Sequence, residues 1–413
     1  MKRSLSLLLS LVLLLASTLP LAACNTGSRE TIRIGVLRED DSSGEAKAWE
    51  QYLRAMGSEL GFSVDFTTTD SSSSEVSAIN TYASKGCRGI LLFSDDDLTA
   101  SVGAAAAKKM YVVYPTGHPT DEQYAGLKDN PYFLGSAAPT ADTEFSAGYD
   151  MAKYFVEGRQ QRDFTIFGGA ALYGVDMHVS RLAGILAYLC EDPSTSYDGV
   201  RDRASLAAKV TGRGIDPQKL KSGRYRVVGY MDGFAFDDAF TTKLTASLEG
   251  GGTCILSVGA GDAVTRIAYG IEKSNARIGS FMSGGVDAIT PDYASCFDLG
   301  YAYDCGKYAS AMAPGLILLL AALRGTPIRN ADGTAPRLPL SYWVADSRET
   351  LEEMLASDNR ESGYCYDSDV IDAVIDACAG GSMDTLNALC TADYAEAQTL
   401  RKALKAGAEG SGT

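Results

Sequence analysis

Acidic, basic and aromatic side chains recur just after the short apolar runs of this 413-residue chain. The candidates for ligand contact are Asp40, Asp95, Tyr114, Tyr173, His178, Arg181, Phe234, Asp262, Asp287 and Asp304. Carboxylates accept hydrogen bonds from pairs of vicinal hydroxyls, and a guanidinium fork donates two bonds at once. Together with aromatic rings that cover apolar faces, this set suits a neutral polyhydroxylated ligand or a cationic one.

Several of these candidates have a purely structural alternative. Asp40 and Asp95 precede predicted helices, where a carboxylate caps free N–H groups and contributes about 0.5 to 2 kcal/mol. Arg181 can pair with an acid such as Asp176 and hold its helix in place. His178 can simply line the start of the same helix.

Catalytic and metal chemistry have little support in the sequence. His118 and His178 are the two histidines, and neither a C-x-x-C pair nor a Gly-x-Ser-x-Gly elbow occurs. Zinc sites and Ser–His hydrolases are built from such groups. We therefore predict a protein that is not an enzyme, with no metal and no cofactor.

The charge balance argues against a polyanionic partner. The formal net charge is −15, and it becomes two units more negative if Lys2 and Arg3 are removed with a signal segment. Nucleic-acid binding requires clustered basic residues, and the chain has no basic run. No nucleic-acid partner is expected.

Elements that alternate between strand and helix must position the candidate side chains. The runs TIRIGVL, FSVDFTTT, GILLFS and MYVVYP predict strands, and helical spacing lies between them. The same alternation begins again at YFLGS and continues through DFTIFGGA, YRVVGYM, CILSVG and RIGSFMSG. This pattern predicts two doubly wound parallel-sheet lobes joined by a hinge, with the ligand in the cleft at the carboxyl ends of the strands.

The N-terminus has the layout of an export signal. Lys2 and Arg3 precede an apolar stretch that is too short to span a membrane, and small residues lead to Cys24. Residues 21–24, LAAC, resemble the lipobox of bacterial lipoproteins. That resemblance implies cleavage after residue 23, lipid on Cys24, and an extracytoplasmic protein anchored to the cell membrane.

An ordered series of motifs from Thr31 to Ala345 resembles the type I periplasmic substrate-binding proteins, particularly the ribose and galactose group. The pieces include TIRIGVL, KGCRGILLFSDDD, KKMYVVYP, GSFMSGGVD and an R-x-x-G signature at Arg181 to Gly184. The resemblance implies that Arg181 points into the cleft. It also implies a small polar, sugar-like ligand and delivery to the permease of an ABC transporter. A sensory module for a receptor kinase, or a binder of nucleosides or cationic solutes, is the alternative.

These observations predict a division of the chain. Residues 1–23 are the signal peptide, 24–30 a lipid-anchored tether, 31–138 the first lobe and 139–290 the second. Residues 304–325 are expected to complete the first lobe and 336–345 the second, with crossings near 137–141, near 286–290 and after 325. The insert at 191–223 is expected to be a surface excursion, and 346–413 a helical extension or a separate partner-binding cap.

Two further features leave the ligand and the redox state open. Eight cysteines follow Cys24, and an exported chain permits disulfides whose pairing the sequence cannot choose. Trp49 and Trp343, the two tryptophans, are expected to lie outside the cleft.

Overall fold

The first sheet forms because near-continuous apolar runs are stable as parallel strands covered by helices on both faces. The computed structural model describes residues 32–93, 97–115, 117–211 and 215–411, and Arg33 onward is one compact unit. The sheet order is β2-β1-β3-β4-β5-β13, with all neighbours parallel among the pairings that the described residues give. The strands are β1 Ile32–Arg38, β2 Phe62–Thr68, β3 Gly89–Leu92, β4 Tyr111–Tyr114, β5 Phe133–Ala138 and β13 Arg337–Pro339.

Five helices belong to this first lobe, and polar caps set where several of them begin. They are α1 Gly44–Leu60, α2 Ser72–Ser84, α3 Leu98–Ala107, α4 Asp121–Leu127 and α11 Ala313–Leu323. The Ser43 side chain accepts from the Ala46 N–H at the start of α1, and Asp97 accepts from the Ala100 N–H at the start of α3. Such caps satisfy N–H groups that have no partner within the helix.

The second sheet repeats the arrangement. Its order is β9-β6-β10-β11-β12-β14, and the last strand runs antiparallel to β12. The strands are β6 Asp163–Phe167, β9 Arg226–Met231, β10 Cys254–Ser257, β11 Met282–Ala288, β12 Tyr301–Lys307 and β14 Trp343–Ala345. Its helices are α5 Ala141–Lys153, α6 Asp176–Leu189, α8 Asp238–Glu249, α9 Gly261–Ser274 and α10 Pro291–Phe297. The predicted fold class, two doubly wound lobes, is confirmed.

The insert after α6 is more than a surface excursion. It holds the strands β7 Ser196–Tyr197 and β8 Leu220–Lys221, paired antiparallel, and the helix α7 Arg203–Val210. Tyr197 and Leu206 are fully buried in the hydrophobic core of the second lobe. The prediction of a surface excursion, which rested on the polar composition of the insert, is wrong because a few apolar side chains suffice to anchor the insert in the core.

The chain crosses between the lobes at three places. The first crossing, between β5 and α5, lies where it was expected. The second follows β12, because residues 301–307 belong to the second sheet and α11 packs on the first. The third joins β13 in the first sheet to β14 in the second. The predicted crossing near 286–290 is therefore wrong, as are the assignments of Asp304 to the first lobe and of residues 337–339 to the second; the third crossing does come after residue 325, between β13 and β14.

The residues after Ala345 form helices α12 Arg348–Ser357, α13 Ser368–Ala379, α14 Asp384–Thr391 and α15 Tyr394–Ser411. This extension contacts both lobes. The Arg348 guanidinium lies 2.6 Å from the Asp298 carboxylate of the second lobe, and the Tyr52 hydroxyl of α1 donates to the Tyr366 carbonyl oxygen at 2.7 Å. The predicted helical extension is confirmed, and it packs on the lobes.

The eight cysteines after Cys24 are buried free thiols in the described structure. Burial raises the pKa of several of them, Cys87 to about 11 among them, so their thiolate fraction at neutral pH is small. No helix among the described residues has the length and apolar character needed to cross a membrane. Cys24 lies outside the described residues.

Candidate functional site

A cavity of about 370 Å³ lies at the carboxyl ends of the first-lobe strands. It is lined by the end of β1, by α1, and by residues at or after the ends of β3 and β4; Met177 and Lys307 are contributed by second-lobe elements. Ligands of open α/β sheets bind in this position. Two of the predicted residues, Asp40 and Tyr114, line this cavity, and Asp95 lies outside the described residues.

Asp40 organises the turn that precedes α1. Its carboxylate accepts hydrogen bonds from the backbone N–H of Ser42 at 2.9 Å and of Ser43 at 3.0 Å. Burial works to raise the pKa of Asp40, but the hydrogen bonds from these two serines lower it below the ordinary range. The carboxylate therefore stays ionised at the cavity mouth, and part of its hydrogen-bonding capacity is committed to the turn.

Four aromatic residues, Trp49, Phe66, Phe93 and Tyr114, belong to the cavity lining and are called the aromatic wall here. The rings of Trp49 and Phe93 lie 5.4 Å apart between centroids with a tilted orientation. The expectation that Trp49 lies outside the cleft is wrong. Its helix, α1, begins directly after the β1 strand end, and Trp49 stands on the face that turns toward the cavity and the core.

Charged residues beside this wall were missed by the sequence analysis. Lys307 Nζ lies 3.2 Å from Glu45 Oε1 and 4.9 Å from the centroid of the Trp49 ring. Burial and the nearby Asp287 charge raise the pKa of Glu45, while Lys307 opposes the shift. Arg38, also in the lining, pairs with Glu50 at 2.7 Å.

Two polar atoms of the cavity residues lack hydrogen-bond partners. Among the described residues, the buried Arg38 Nε and Trp49 Nε1 make no hydrogen bond, whereas Glu45 Oε1 has the Lys307 ammonium at 3.2 Å. Buried polar groups in native proteins almost always have a partner. Two unused donors among the residues that line one cavity are therefore the strongest local sign of a polar ligand.

The second lobe presents a different set of groups at its strand ends. His178 Nδ1 accepts from the Ala170 N–H at 3.0 Å, which places the ring proton on Nε2. The ring packs between the loops that carry Gly169 and Gly259, where a Cβ would approach it to 3.1 and 3.2 Å. Burial and the Arg181 charge lower the pKa of His178 to about 4. His178 is thus a neutral side chain at neutral pH.

Aromatic residues on this lobe are unusually exposed. Phe234 is 47% exposed and Tyr173 is 74% exposed, and the Phe234 ring lies 5.8 Å from that of His178 between centroids. The structure brings Phe234 and His178 together after β9 and β6. Neither Phe234 nor Tyr173 lines the 370 Å³ cavity.

Arg181 is not a cleft residue. It is 4% exposed, and its guanidinium pairs with Glu144 at 2.6 Å and donates to the carbonyl oxygens of Val258 and Val286 at 2.6 and 3.0 Å. A fourth bond reaches the Tyr342 hydroxyl at 2.8 Å. The expectation that Arg181 holds the ligand is wrong, because its donors join α5, two strand ends and the third crossing. The partner is Glu144, not Asp176.

The remaining predicted acids form a separate cluster within the second lobe. Asp287 accepts from the Ala260 N–H at 2.9 Å and from the Tyr293 hydroxyl at 2.6 Å. Burial raises the pKa of Asp262. Asp304 is fully buried in β12, and burial, with the Asp287 charge, raises its pKa well above the ordinary value. The expectation that Asp304 lies at a strand-end loop is wrong.

No protein-family model and no curated protein sequence matches the chain. Solved structures with the same architecture do. An ABC transporter periplasmic solute-binding protein from Actinobacillus succinogenes with bound D-allose is 14% identical, with a TM-score of 0.54 over 78% of this chain and 99% of that one. A solute-binding protein from Bacillus halodurans with bound myo-inositol is 12% identical, with a TM-score of 0.52 over 78% and 96%.

The chain has the fold of the type I periplasmic binding proteins. The same fold occurs in the transcription regulator CcpA of Lactococcus lactis, at 14% identity and a TM-score of 0.51 over 77% of this chain and 98% of that one. A shared fold leaves the function undetermined. The residues of the cavity are therefore the evidence for what this chain binds.

Proposed function

We propose that the protein is an extracytoplasmic solute-binding protein that captures a small polar, sugar-like ligand between its two lobes and delivers it to an ABC importer. The observation that carries the proposal is the cavity at the strand ends. It combines an aromatic wall with two buried donors, Arg38 Nε and Trp49 Nε1, that have no protein partner. A ring with an apolar face and several hydroxyls matches both features.

The chemistry of the lining supports an uncharged ligand rather than an anion. Glu39, Asp40, Glu45 and Glu50 line the cavity, against the two basic residues Arg38 and Lys307. Each base already lies beside a carboxylate. An anionic ligand would have to displace one of these pairs. Solved structures of the same fold hold D-allose and myo-inositol, which are neutral polyols.

A thermal-shift screen of the chain from Asn25 onward tests the proposal. The panel contains aldopentoses, aldohexoses, inositols, nucleosides and polyamines. A ligand at 100 times its Kd stabilises the folded state by about 2.7 kcal/mol, which is a measurable rise in melting temperature. We expect a hit among the neutral polyols, and no hit in any class would contradict a binding function for this cavity.

Two variants assign a hit to the cavity. Trp49→Leu removes one ring of the aromatic wall and an unused donor, and Glu45→Gln replaces a carboxylate of the cavity lining by a neutral amide. Each is expected to weaken binding at least about tenfold, a loss of about 1.4 kcal/mol. Arg201→Gln is a control outside the cavity, since that guanidinium donates to the carbonyl oxygens of Cys190, at the end of α6, and of Asp192 in the insert. Unchanged affinity in both cavity variants would place the ligand elsewhere.

Transport and anchoring have their own tests. Deleting the gene should abolish cellular uptake of the solute found in the screen, whereas a sensory role would leave uptake intact and abolish a transcriptional response. We further propose that lipid on Cys24 anchors the protein, since two acyl chains give stable membrane attachment. Cys24→Ala should release the protein from the membrane fraction or leave it unprocessed.

A further inference from the structure

We propose that Glu45 and Trp49 form a cation subsite that the Lys307 ammonium group occupies. We further propose that this occupancy makes the cleft select uncharged ligands over organic cations. Only the selectivity for uncharged ligands rests on the proposed function. The first part, the subsite itself, concerns the binding of an ammonium group and is independent of which solute the protein carries.

The geometry of the subsite is that of a cation-binding pocket. The Lys307 ammonium lies 3.2 Å from Glu45 Oε1 and 4.9 Å from the Trp49 ring centroid. An ammonium within about 6 Å of an aromatic face is attracted by the ring quadrupole, and more strongly when it is partly removed from water. The Lys307 side chain is only 17% exposed. A carboxylate and an indole face thus hold one primary ammonium inside the ligand cavity.

The two halves of this subsite come from different lobes. Glu45 and Trp49 belong to α1 of the first lobe, whereas Lys307 ends β12 of the second sheet. The lobes are close at this point, because a Cβ on Gly44 would lie 2.4 Å from the Asp292 carboxylate and 3.2 Å from the Thr290 hydroxyl. The subsite is filled in the observed arrangement of the lobes.

The occupancy has a consequence for specificity. The acids of the cavity outnumber its bases, which by itself would favour cationic solutes. Lys307 counters this preference, because a ligand ammonium would have to expel the lysine from the Glu45 and Trp49 contacts. A neutral ligand carries no ammonium group and therefore does not compete with Lys307 for the Glu45 and Trp49 contacts. The lysine therefore shifts selection toward neutral ligands.

Chemical rescue tests the subsite directly. Lys307→Ala retains the Cβ, so n-propylammonium supplies the missing three carbons and the nitrogen. We expect the purified variant to bind n-propylammonium at least about tenfold more tightly than the wild type does, by calorimetry, and at least about tenfold more tightly than it binds neutral 1-propanol. Adding Glu45→Gln to the variant should remove the preference. Equal binding of the amine and the alcohol would overturn the proposal.

A second measurement uses the intact lysine and needs no truncation. In ¹³C-labelled wild-type protein, the Cε protons of Lys307 should resonate upfield of those of exposed lysines, because the adjoining ammonium nitrogen lies over the Trp49 ring, 4.9 Å from its centroid. Trp49→Leu should return them to the ordinary position, and Trp343→Phe, which changes the other tryptophan, should leave them shifted. An ordinary Lys307 resonance in the folded wild type would overturn the proposal.

The specificity part is tested with matched solutes. Wild-type protein should bind a neutral hexose in preference to its 2-amino derivative, and Lys307→Met should reduce that preference at least about tenfold. An unchanged preference would refute the selectivity role. If neither solute binds although n-propylammonium rescues Lys307→Ala, the proposed sugar-binding function fails and the cation subsite stands.

Discussion

Replacement of Arg181 by methionine should destabilise the protein strongly without acting on the ligand directly. The Arg181 and Glu144 side chains are 5% and 8% exposed, and their charged groups are 2.6 Å apart. Burial works to lower the pKa of Arg181, but Tyr342 and Glu144 raise it above the ordinary value, so the guanidinium is ionised. Methionine leaves the Glu144 carboxylate buried with one remaining donor, the Tyr342 hydroxyl at 2.7 Å.

The expected loss follows from the unpaired charge. Removal of one partner of a buried ion pair costs about 3 to 5 kcal/mol, because the other charge stays uncompensated. Arg181→Met should lower the free energy of unfolding by that amount, measured by urea denaturation followed by circular dichroism. The double variant with Glu144→Leu should recover at least half of the loss, since no buried charge remains.

The outcome distinguishes the structural role from a ligand contact. A loss below about 1 kcal/mol in Arg181→Met would show that the buried network is not important for stability, and the placement of this side chain would need revision. A normal stability combined with a large fall in ligand affinity would restore the original expectation that Arg181 holds the ligand. We expect the reverse, a lower stability and an affinity within about threefold of the wild type for the folded protein.

Three further predictions follow from the second lobe and the hinge. Because the pKa of His178 falls from 6.5 to about 4 on folding, stability should decrease as the pH drops from about 6.5 to about 4, by up to about 3 kcal/mol, and His178→Asn should flatten that slope in urea titrations. Because burial raises the pKa of Asp304, the buried carboxyl group lowers the stability as the pH rises above the ordinary pKa of an aspartate. Asp304→Asn should therefore raise the unfolding midpoint at pH 7 but not at pH 3. The solute found in the screen should reduce the radius of gyration in small-angle scattering, since a ligand that contacts both lobes favours closure, and no compaction at saturation would contradict a hinge-closing receptor.

The fold was predictable because its signals are local and repeated. Runs such as TIRIGVL and GILLFS contain enough β-branched and aliphatic residues to specify buried strands, and helical spacing separates them. The crossings were less predictable, because the apolar pattern of YAYDCGK fits a strand of either sheet. Which sheet it joins depends on pairing with β11, from Ser283 to Ala288, and a single sequence does not display that pairing.

The candidate site was predictable only in its position. Asp40 comes shortly after β1 and Tyr114 ends β4, so their place at the carboxyl edge could be inferred, and both line the cavity. Glu45 and Trp49 lie inside a helix whose orientation depends on packing against distant segments. The interpretation of Arg181 failed for a similar reason, because its partner Glu144 is 37 positions away and belongs to another helix.

Arg181 is paired within one lobe and Lys307 is paired across the two lobes, so lobe movement affects the Lys307 pair and not the Arg181 pair. Both are held by a glutamate beside an aromatic ring, since the Arg181 guanidinium lies 5.8 Å from the Tyr342 ring centroid and Lys307 Nζ lies 4.9 Å from that of Trp49. Glu144 belongs to the same lobe as Arg181, so hinge motion leaves that pair intact. Glu45 belongs to the lobe opposite Lys307, so a lobe movement that shifts α1 relative to the end of β12 changes the distance between the charges. The energy of the second pair therefore depends on the state of the cleft, which is the property required of a residue that couples ligand selection to closure.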